Sequence, residues 1–330
     1  MKLALIGATG LVGQKMTEVL EEFDFPADAF YPAASERSVG KKIVFKGKEY
    51  QVCSLKEALA KKPDIVLFSA GAAVSHIWAP QFADVGAYVI DNSSAWRMSP
   101  DIPLVVPEVN GHVLSEKTHI IANPNCSTIQ MVVALNPLHK NYGIRRLVIA
   151  TYQSVTGTGV GAVKQMEDER KGIAGKKVYP HPIDMNCFPH GGDFLDNGYS
   201  SEEMKLVNET RKILEEPALQ ITSTVVRIPV KGGHSEAVNV ELQKDFEMKE
   251  LRDLLTSSPG IIVQDDPGNA VYPMPLYTEG KNEVFVGRLR RDLSQPNTLD
   301  MWVVADNLRK GAATNAVQIA LLMMKKIKKT

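Results

Sequence analysis

The N-terminal end of the chain constrains the fold more than any other segment. An apolar run, Lys2–Ile6, leads directly into the glycine-rich sequence GATGLVG, and a helical pattern follows. Glycines let a backbone approach a pyrophosphate, and the N–H groups at a helix start favour negative charge. The GxxGxxG spacing alone also fits a plain tight turn, but its place between a strand and a helix favours a nucleotide site. The predicted contacts are Gly7, Thr9, Gly10, Leu11, Val12 and Gly13.

Short apolar runs continue to alternate with helical patterns up to about residue 126. The further predicted strands are Ala29–Ala34, Asp64–Phe68, Tyr88–Ile90 and His119–Ala122. Strands separated by amphipathic helices indicate βαβ units on a parallel sheet. We therefore predict an α/β protein with an N-terminal Rossmann-type NADP-binding domain over residues 1–126. Residues 310–330 complete this domain, with a last helix at about Ala312–Lys325.

The pattern changes after residue 126, where longer β-branched runs appear. The predicted strands are Arg146–Ser154, Ile221–Ile228, Ala237–Leu242, Val284–Leu289 and Met301–Ala305, with helices at Val160–Lys171, Ser201–Leu214 and Lys249–Leu255. This pattern is typical of an α+β domain on a mixed or antiparallel sheet, which we assign to residues 127–309. Tyr179–Gly198 is rich in proline and glycine and is predicted to be a long loop.

Composition excludes several classes of function. Lys plus Arg and Asp plus Glu both number 38, so no net field favours nucleic acid or an anionic membrane. No apolar run approaches the roughly 20 residues that span a bilayer. The three cysteines lack CxxC pairs and histidines at metal-ligand spacing, so we expect no metal, no disulfide framework and a reducing cytoplasm. The first strand begins at Lys2 and leaves no room for a targeting signal. The Lys-rich end, Met323–Thr330, is expected to be a solvated helix end.

The end of the second strand selects the cofactor. An acidic residue there binds the ribose 2′-hydroxyl of NAD, whereas a cation with hydroxyl groups accepts the 2′-phosphate of NADP. The sequence is Ser35-Glu36-Arg37-Ser38. A guanidinium flanked by two serines suits a phosphate and favours NADP. Glu36 would take the NAD role if it pointed inward, so the sequence leaves some preference for NAD open.

A cysteine stands where a strand ends and a helix begins, in the sequence IIANPNCST. A thiol with a pKa of about 8.5 is only a few per cent thiolate at neutral pH, and a helix N-terminus raises that fraction. The Asn123-Pro124 turn would hold Cys126 at the carboxyl edge of the sheet, where α/β proteins bind ligands. A buried small hydrophobe is the competing interpretation, and these residues alone do not decide between the two.

Together the motifs resemble the aspartate-semialdehyde dehydrogenase family. They are GATGLVG, SSAWR at 93–97, NPNCST at 123–128, QSVTGTG at 153–159, EEMK at 202–205, RIPVKGGHSEA at 227–237 and ADNLRKG at 305–311. They occur in the family's order and span nearly the whole chain.

The resemblance implies the reversible NADPH-dependent reduction of 4-phospho-L-aspartate to aspartate 4-semialdehyde and phosphate, in lysine, threonine and methionine biosynthesis. It implies that Cys126 is the nucleophile, that His234 is the general acid/base and that Gln153 orients the reacting group. Substrate and phosphate would be bound by Arg97, Asn125, Glu202, Lys205 and Arg227. Further cofactor contacts would be Ser154, Gly157 and Asn307. The resemblance also implies that residues 127–309 form the catalytic and dimerisation domain, and the expected assembly is a homodimer, with a tetramer left open.

These residue types suit that chemistry. A thiolate that displaces phosphate forms a thioester, which splits one difficult step into two. Imidazole titrates near neutrality and can give or take a proton, and a guanidinium binds a carboxylate in bidentate fashion. The register of EEMK is set by helix spacing, since Glu202 and Lys205 share a helix face and Glu203 does not share it.

Two alternatives stay open at this point. N-acetyl-γ-glutamyl-phosphate reductase shares the thioester chemistry, but would carry Gly-Cys rather than Asn125-Cys126 and would have no need of Glu202. A catalytically silent NADP-binding redox sensor would keep the glycine turn, but would have no need of Arg227, His234 and Lys205 together.

Overall fold

The computed structural model describes residues 1–327, and the chain divides into two compact units. The first contains Met1–Pro124 and the chain from Ala312 onward, and the second contains Asn125–Gly311. Residues 328–330 of the Lys-rich end lie outside the described residues.

A five-stranded parallel sheet forms the centre of the first unit. Its strands are β1 (Lys2–Ile6), β2 (Ala29–Ala33), β5 (Ile65–Phe68), β6 (Tyr88–Asp91) and β7 (Ile120–Ala122), in the order β2-β1-β5-β6-β7. The helices of this unit are α1 (Leu11–Glu22), α2 (Leu55–Ala60), α3 (Ala72–Asp84), α4 (Pro107–Asn110) and α10 (Thr314–Ile327). A small hairpin, β3 (Lys42–Phe45) and β4 (Lys48–Gln51), lies apart from the sheet.

Helices cover both faces of this sheet, which explains why its strands are apolar throughout. In β1, Leu3 and Leu5 pack with α1 and α10, while Ala4 and Ile6 pack with α2 and α3. Strands buried on both faces carry continuous rather than alternating apolar runs. The Rossmann-type architecture predicted from these runs is confirmed.

A six-stranded mixed sheet forms the centre of the second unit. Its strands are β8 (Ile144–Gln153), β9 (Gln220–Arg227), β10 (His234–Leu242), β11 (Ile261–Val263), β12 (Val284–Arg291) and β13 (Thr298–Ala305), in the order β11-β12-β13-β10-β8-β9. Two outer pairs, β11/β12 and β8/β9, are parallel, and the inner pairs are antiparallel. The helices are α5 (Cys126–Tyr142), α6 (Val160–Arg170), α7 (Ser201–Ile213), α8 (Met248–Ser257) and α9 (Pro275–Thr278).

Helix α5 packs against one face of this sheet, and the strands alternate between the two faces. In β8, Ile149, Thr151 and Gln153 are buried, whereas Ala150 and Tyr152 are partly or fully exposed. Successive residues of a strand point to opposite faces, so Gln153 shares the α5 side with Thr151 and Ile149. The sheet thereby aligns polar side chains beneath α5.

The predicted last helix begins two residues later than expected. A π-helical turn, Arg309–Ala313, precedes α10 at Thr314, whereas the apolar pattern predicted a helix from about Ala312. The long loop predicted at Tyr179–Gly198 contains no helix or named strand in the described chain.

Candidate active site

The glycine turn is shaped by close backbone contacts within the first unit. Gly7 has φ +81°, and a Cβ atom there would lie 2.2 Å from the backbone oxygen of Ser69. A Cβ at Gly13 would lie 2.2 Å from the oxygen of Gly7. Helix α1 then begins at Leu11 with Gly10 as its N-cap, and no side chain caps it. The N–H groups at this helix start have no side-chain cap, and the glycine turn before it has no space for a Cβ atom at Gly7 or Gly13. Such a turn suits the pyrophosphate of a dinucleotide.

Substituting Gly7 with alanine tests this packing. We expect Gly7→Ala to lower the free energy of unfolding by more than about 2 kcal/mol, because left-handed strain and a backbone clash act together. Gly40→Ala is a matched control, with φ +84° but no atom within 4 Å, and should cost about 1 kcal/mol. Urea unfolding of both variants measures the difference. Equal losses would show that the contact with Ser69 carries no energy.

The predicted selector of NADP lies beside the glycine turn. Ser35 is the N-cap of a 3₁₀ helix, Glu36–Ser38, that follows β2. Ser38 is buried and its Oγ lies 3.4 Å from Oγ1 of Thr9, which brings the two predicted cofactor segments together. Glu36 and Arg37 are both exposed. Arg37 is therefore accessible to a phosphate, and this structure gives Glu36 no inward position.

Arg97 is held by backbone carbonyl groups at the carboxyl end of the first sheet. Its Nε donates to the oxygen of Asn123 at 3.0 Å, and Nη2 donates to the oxygen of Asn92 at 3.0 Å. The Asn123 side chain donates to Asn92 at 2.6 Å and accepts from Asn315 of α10 at 2.7 Å. These backbone contacts help to fix the position of the guanidinium at this end of the sheet.

Cys126 is the first residue of α5, as the sequence predicts. Asn125 is the N-cap, and its Oδ1 accepts from the N–H groups of Ser127 at 3.0 Å and Thr128 at 3.4 Å. The positive end of the helix dipole therefore lies at the thiol and favours a negative charge on sulfur. A Cβ at Gly311 would lie 2.9 Å from the Cβ of Cys126, so this glycine makes room for the nucleophile.

Asn125, Glu202 and Lys205 form one cluster in the second unit. Asn125 Nδ2 donates to Glu202 Oε1 at 2.7 Å, and Lys205 Nζ donates to Glu202 Oε2 at 2.7 Å. Glu203 instead forms a capping box with Ser200 at the start of α7. The ion pair agrees with the three-residue spacing, and Glu202 contacts the side chain of the nucleophile's N-cap residue.

Gln153, Arg227 and His234 lie in one row across three adjacent strands. The β8/β9 register pairs Gln153 with Arg227, and the β8/β10 register pairs it with His234. Gln153 Nε2 donates to Ser127 Oγ at 2.7 Å, which connects this row to the first turn of α5. Sheet register therefore groups three residues that are far apart in sequence.

His234 is fully buried, and its hydrogen bonds define its tautomer. Nδ1 lies 3.1 Å from the N–H of Ser154, so this nitrogen accepts and the proton of neutral imidazole lies on Nε2. Nε2 has no hydrogen-bond partner among the described residues. Gly157 leaves space in front of it, because a Cβ there would lie 3.1 Å from Nε2 and 3.2 Å from Nη1 of Arg227. His234 thus presents an N–H donor toward Gly157.

Burial, followed by the charge of Arg227, lowers the pKa of His234 to about 3. Glu202 and the backbone act in the opposite direction but do not compensate. This low pKa differs from the near-neutral titration expected from the sequence for a catalytic imidazole. A substrate carboxylate on Arg227 would remove part of this effect and raise the pKa.

Ser154 and Asn307 belong to a hydrogen-bond network beside the histidine. Asn307 Oδ1 accepts from Ser154 Oγ at 3.1 Å, from Thr156 Oγ1 at 3.2 Å and from the N–H of Gly233 at 3.0 Å. Arg227 Nη1 donates to the oxygen of Ser154 at 2.7 Å. These contacts fix the backbone of Gly233, which precedes His234, and that of Ser154 on the neighbouring strand.

Several residues near these groups were not predicted from the sequence. Glu209 is buried and accepts from the N–H of Asn125 at 2.6 Å, and Glu236 is fully buried two residues beyond His234. Periodicity offered one signal, since an acidic residue within an apolar strand such as β10 requires explanation. Among residues 1–327, no helix is long and apolar enough to cross a membrane, and no cluster of three metal-ligating side chains occurs.

Comparison with known proteins agrees with this geometry. Residues 2–117 match the family model for the NAD binding domain of semialdehyde dehydrogenase, and residues 135–310 match its dimerisation domain. A curated aspartate-semialdehyde dehydrogenase of Aquifex aeolicus is 52% identical, over 98% of both chains. The structure of aspartate semialdehyde dehydrogenase II from Vibrio cholerae, complexed with ASA, has a TM-score of 0.94 and 45% identity over 98% of both chains. That of a Candida albicans aspartate semialdehyde dehydrogenase with NADP has a TM-score of 0.76 and 25% identity over 98% of both chains.

An NAD binding domain followed by a dimerisation domain with a cysteine at a helix start defines a dehydrogenase of the semialdehyde class. Within that class, the chain belongs to the aspartate-semialdehyde dehydrogenase family. The resemblance stated from the motifs is confirmed, as are the α/β fold class and an NADP-dependent oxidoreductase of amino-acid biosynthesis. The comparisons favour this function over the acetylglutamyl reductase and the silent sensor.

Proposed function

We propose that this chain reduces 4-phospho-L-aspartate to L-aspartate 4-semialdehyde and phosphate through a thioester on Cys126. The observation that carries the substrate assignment is the Glu202 carboxylate, held against Asn125, the residue before the nucleophile. A carboxylate there suits a free α-amino group, whereas an N-acetylated substrate offers no cation to it. Arg227 in the adjoining row suits the α-carboxylate.

Cys126 forms and breaks the covalent bond. Its thiolate attacks the acyl carbon, the bond to phosphate breaks, and a thioester remains. NADPH, when bound, supplies the hydride. His234 then acts on the thiohemiacetal oxygen: as the imidazolium, which a substrate carboxylate on Arg227 favours, it gives that oxygen a hydrogen bond and a proton from Nε2. Return of that proton to His234 accompanies cleavage of the carbon–sulfur bond, which releases the aldehyde and restores the thiolate.

The remaining site residues bind and orient. We propose that Gln153, fixed by Ser127 Oγ, orients the reacting carbonyl group. Arg97, Asn125 and Lys205 are assigned to the phosphate, since a dianion needs more than one cation and Asn125 stands at a helix start. Asn125 Nδ2 and Lys205 both bind Glu202, so the phosphate must compete for these donors.

We assign the cofactor pyrophosphate to the glycine turn, with contacts from Gly7, Thr9, Gly10, Leu11, Val12 and Gly13. Other parts of the cofactor would contact Ser154, Gly157 and Asn307. The close backbone contacts of the glycine turn, which exclude a Cβ atom at Gly7 and Gly13, support this assignment. For the 2′-phosphate of NADP we propose Ser35, Arg37 and Ser38. The nucleotide-binding domain boundaries that we propose are residues 1–126 with 310–330, and the catalytic domain is 127–309.

Replacing Arg37 tests the NADP assignment. Arg37→Ala should weaken NADP binding by about tenfold to hundredfold, the value of one charge-assisted hydrogen bond, and leave NAD binding unchanged. Isothermal titration with both nucleotides measures the two affinities. Glu36→Gln serves as the matched neighbour and should change NADP affinity by much less. An equal loss of NAD affinity in Arg37→Ala would show that Arg37 does not read the 2′-phosphate.

The assembly that we propose is a homodimer formed through the sheet of the second unit. On the face opposite α5, Val148, Ala150, Tyr152, Ala237 and Trp302 are not fully covered. Apolar and aromatic residues on a sheet face that no helix covers are typical of an interface. The family model for residues 135–310 is described as a dimerisation domain, which supports the same surface. We place the enzyme in the cytoplasm, where a reducing environment keeps Cys126 as a thiol.

The oxidative assay tests the function. L-aspartate 4-semialdehyde, phosphate and NADP should yield NADPH absorbance, and omission of phosphate should stop turnover. N-acetyl-L-glutamate 5-semialdehyde is the matched substrate and should give no comparable rate. Turnover with the acetylated substrate alone would assign the chain to the rival reductase chemistry.

A further inference from the structure

Glu236 is a carboxyl group that the proposed mechanism does not use. It is 0% exposed in the middle of β10, where it pairs with Thr151 of β8 and Val303 of β13. It points to the same face as His234, two residues earlier, and this is the face covered by α5. Neither carboxyl oxygen has a hydrogen-bond donor among the described residues. A buried acid without a donor or a cation is costly when ionised.

The polar side chains around Glu236 leave one acceptor without a donor and one hydroxyl hydrogen without an acceptor. Ser127 and Gln130 of α5 are the groups that interact with its carboxyl. Gln130 Nε2 donates to the backbone oxygen of His234 at 3.2 Å, while Gln130 Oε1 has no donor among the described residues. Ser127 Oγ accepts from Gln153 Nε2, so its own hydrogen remains to be donated. A neutral carboxylic acid supplies both missing partners, one donor and one acceptor.

We propose that Glu236 is a protonated positioning residue that joins Gln153 and His234 through α5. Its O–H donates to Gln130 Oε1, and its carbonyl oxygen accepts from Ser127 Oγ. The resulting series of hydrogen bonds begins at Gln153 Nε2 and passes through Ser127, Glu236 and Gln130. It ends on the backbone oxygen of His234. This inference rests on the proposed function for its kinetic consequence, but not for the protonation of Glu236.

The surroundings are consistent with a neutral carboxyl group. Burial raises the pKa of Glu236 well above its usual value, and Gln130 and Ser127 oppose this only in part. The neighbouring positions on β8 and β13 are the uncharged Thr151 and Val303, and α5 contributes Ser127 and Gln130. His234, the titratable neighbour on β10, is itself held neutral by burial and by Arg227. Within residues 1–327, no charged group therefore favours the carboxylate.

Two substitutions of Glu236 separate hydrogen bonding from charge. Glu236→Gln retains one donor and one acceptor in the same shape, so kcat should stay within about threefold of the wild type. Glu236→Leu keeps the side-chain volume but removes the hydrogen bonds to Ser127 and Gln130. We therefore expect kcat to fall, by up to about hundredfold, with little change in KM for either substrate. Thr151→Val removes a neighbouring buried hydroxyl that takes no part in these hydrogen bonds. It is the matched control, and its kcat should be unchanged. Full kcat in Glu236→Leu, or equal loss in both Glu236 variants, would overturn the proposal.

Infrared difference spectroscopy of the intact protein tests the protonation without any turnover. The wild type minus Glu236→Gln spectrum should contain the carbonyl stretch of a protonated carboxylic acid across neutral pH. A carboxylate band in its place would overturn the proposal. This readout survives if Glu236→Leu fails to fold. It also separates the two claims, because absence of turnover in the wild type would remove the proposed function and leave the infrared result to decide about Glu236.

Discussion

Replacing Cys126 with alanine is expected to abolish turnover and leave the fold and NADP binding intact. Without the nucleophile no thioester forms, and kcat should fall by about 10⁴-fold or more. Alanine keeps the Cβ that packs against Gly311, so the start of α5 should be preserved. Initial rates in the oxidative direction measure the loss, and nucleotide titration measures the retained site.

A second thiol provides the control for Cys126. Cys187 is exposed in the long loop, and Cys187→Ala should retain wild-type turnover. A Cys126→Ala protein that still produces NADPH in a phosphate-dependent reaction would contradict a thioester on this residue. Loss of activity in Cys187→Ala would point to the loop instead.

Replacing His234 with asparagine should lower kcat by about 10²-fold to 10⁴-fold, the usual contribution of a general acid/base. An asparagine oxygen can still accept from the N–H of Ser154, but the variant has no donor at the position of Nε2. The loss should therefore appear in kcat more than in KM. His181→Asn, in the exposed part of the long loop, is the control and should leave kcat unchanged.

The same His234 variant should change how stability depends on pH. The pKa of His234 is about 3 in the folded protein, whereas it is about 6.5 in the unfolded chain. Below pH 6.5 the unfolded state binds a proton that the folded state does not bind until about pH 3. The free energy of unfolding should therefore fall as pH decreases through this window, and His234→Asn should lack this part of the slope. Urea unfolding at several pH values measures it, and identical slopes in both proteins would contradict a neutral buried imidazole.

The parallel sheet could be predicted from the sequence because its strands are buried on both faces. Continuous apolar runs such as Lys2–Ile6 identify such strands without any further information. The hairpin β3/β4 was missed because it is small, largely exposed and rich in lysine, and because its turn is Lys46-Gly47 rather than Asn-Gly. Local pattern predicts an element only where burial imposes the pattern.

The candidate site was predictable as a set of residues but not as an electrostatic environment. Helix spacing was enough to choose Glu202 over Glu203 as the partner of Lys205. The tautomer of His234 depends on Ser154, and its lowered pKa depends on Arg227, which lies on a different strand. Neither contact is visible in local sequence, because register between strands creates both. Glu236 differs, because its place in an apolar strand is visible in local sequence, whereas its lack of a hydrogen-bond donor among the described residues depends on packing against α5.

The thioester itself is tested most directly by a rapid-mixing experiment without phosphate. The enzyme is mixed with L-aspartate 4-semialdehyde and NADP, and NADPH absorbance is followed before and after phosphate is added. The proposed chemistry predicts a burst of about one NADPH per active site, then steady turnover once phosphate releases the acyl group. Peptide mass analysis of the arrested protein should locate an aspartyl group on Cys126. Sustained turnover without phosphate, or a burst that persists in Cys126→Ala, would contradict the thioester.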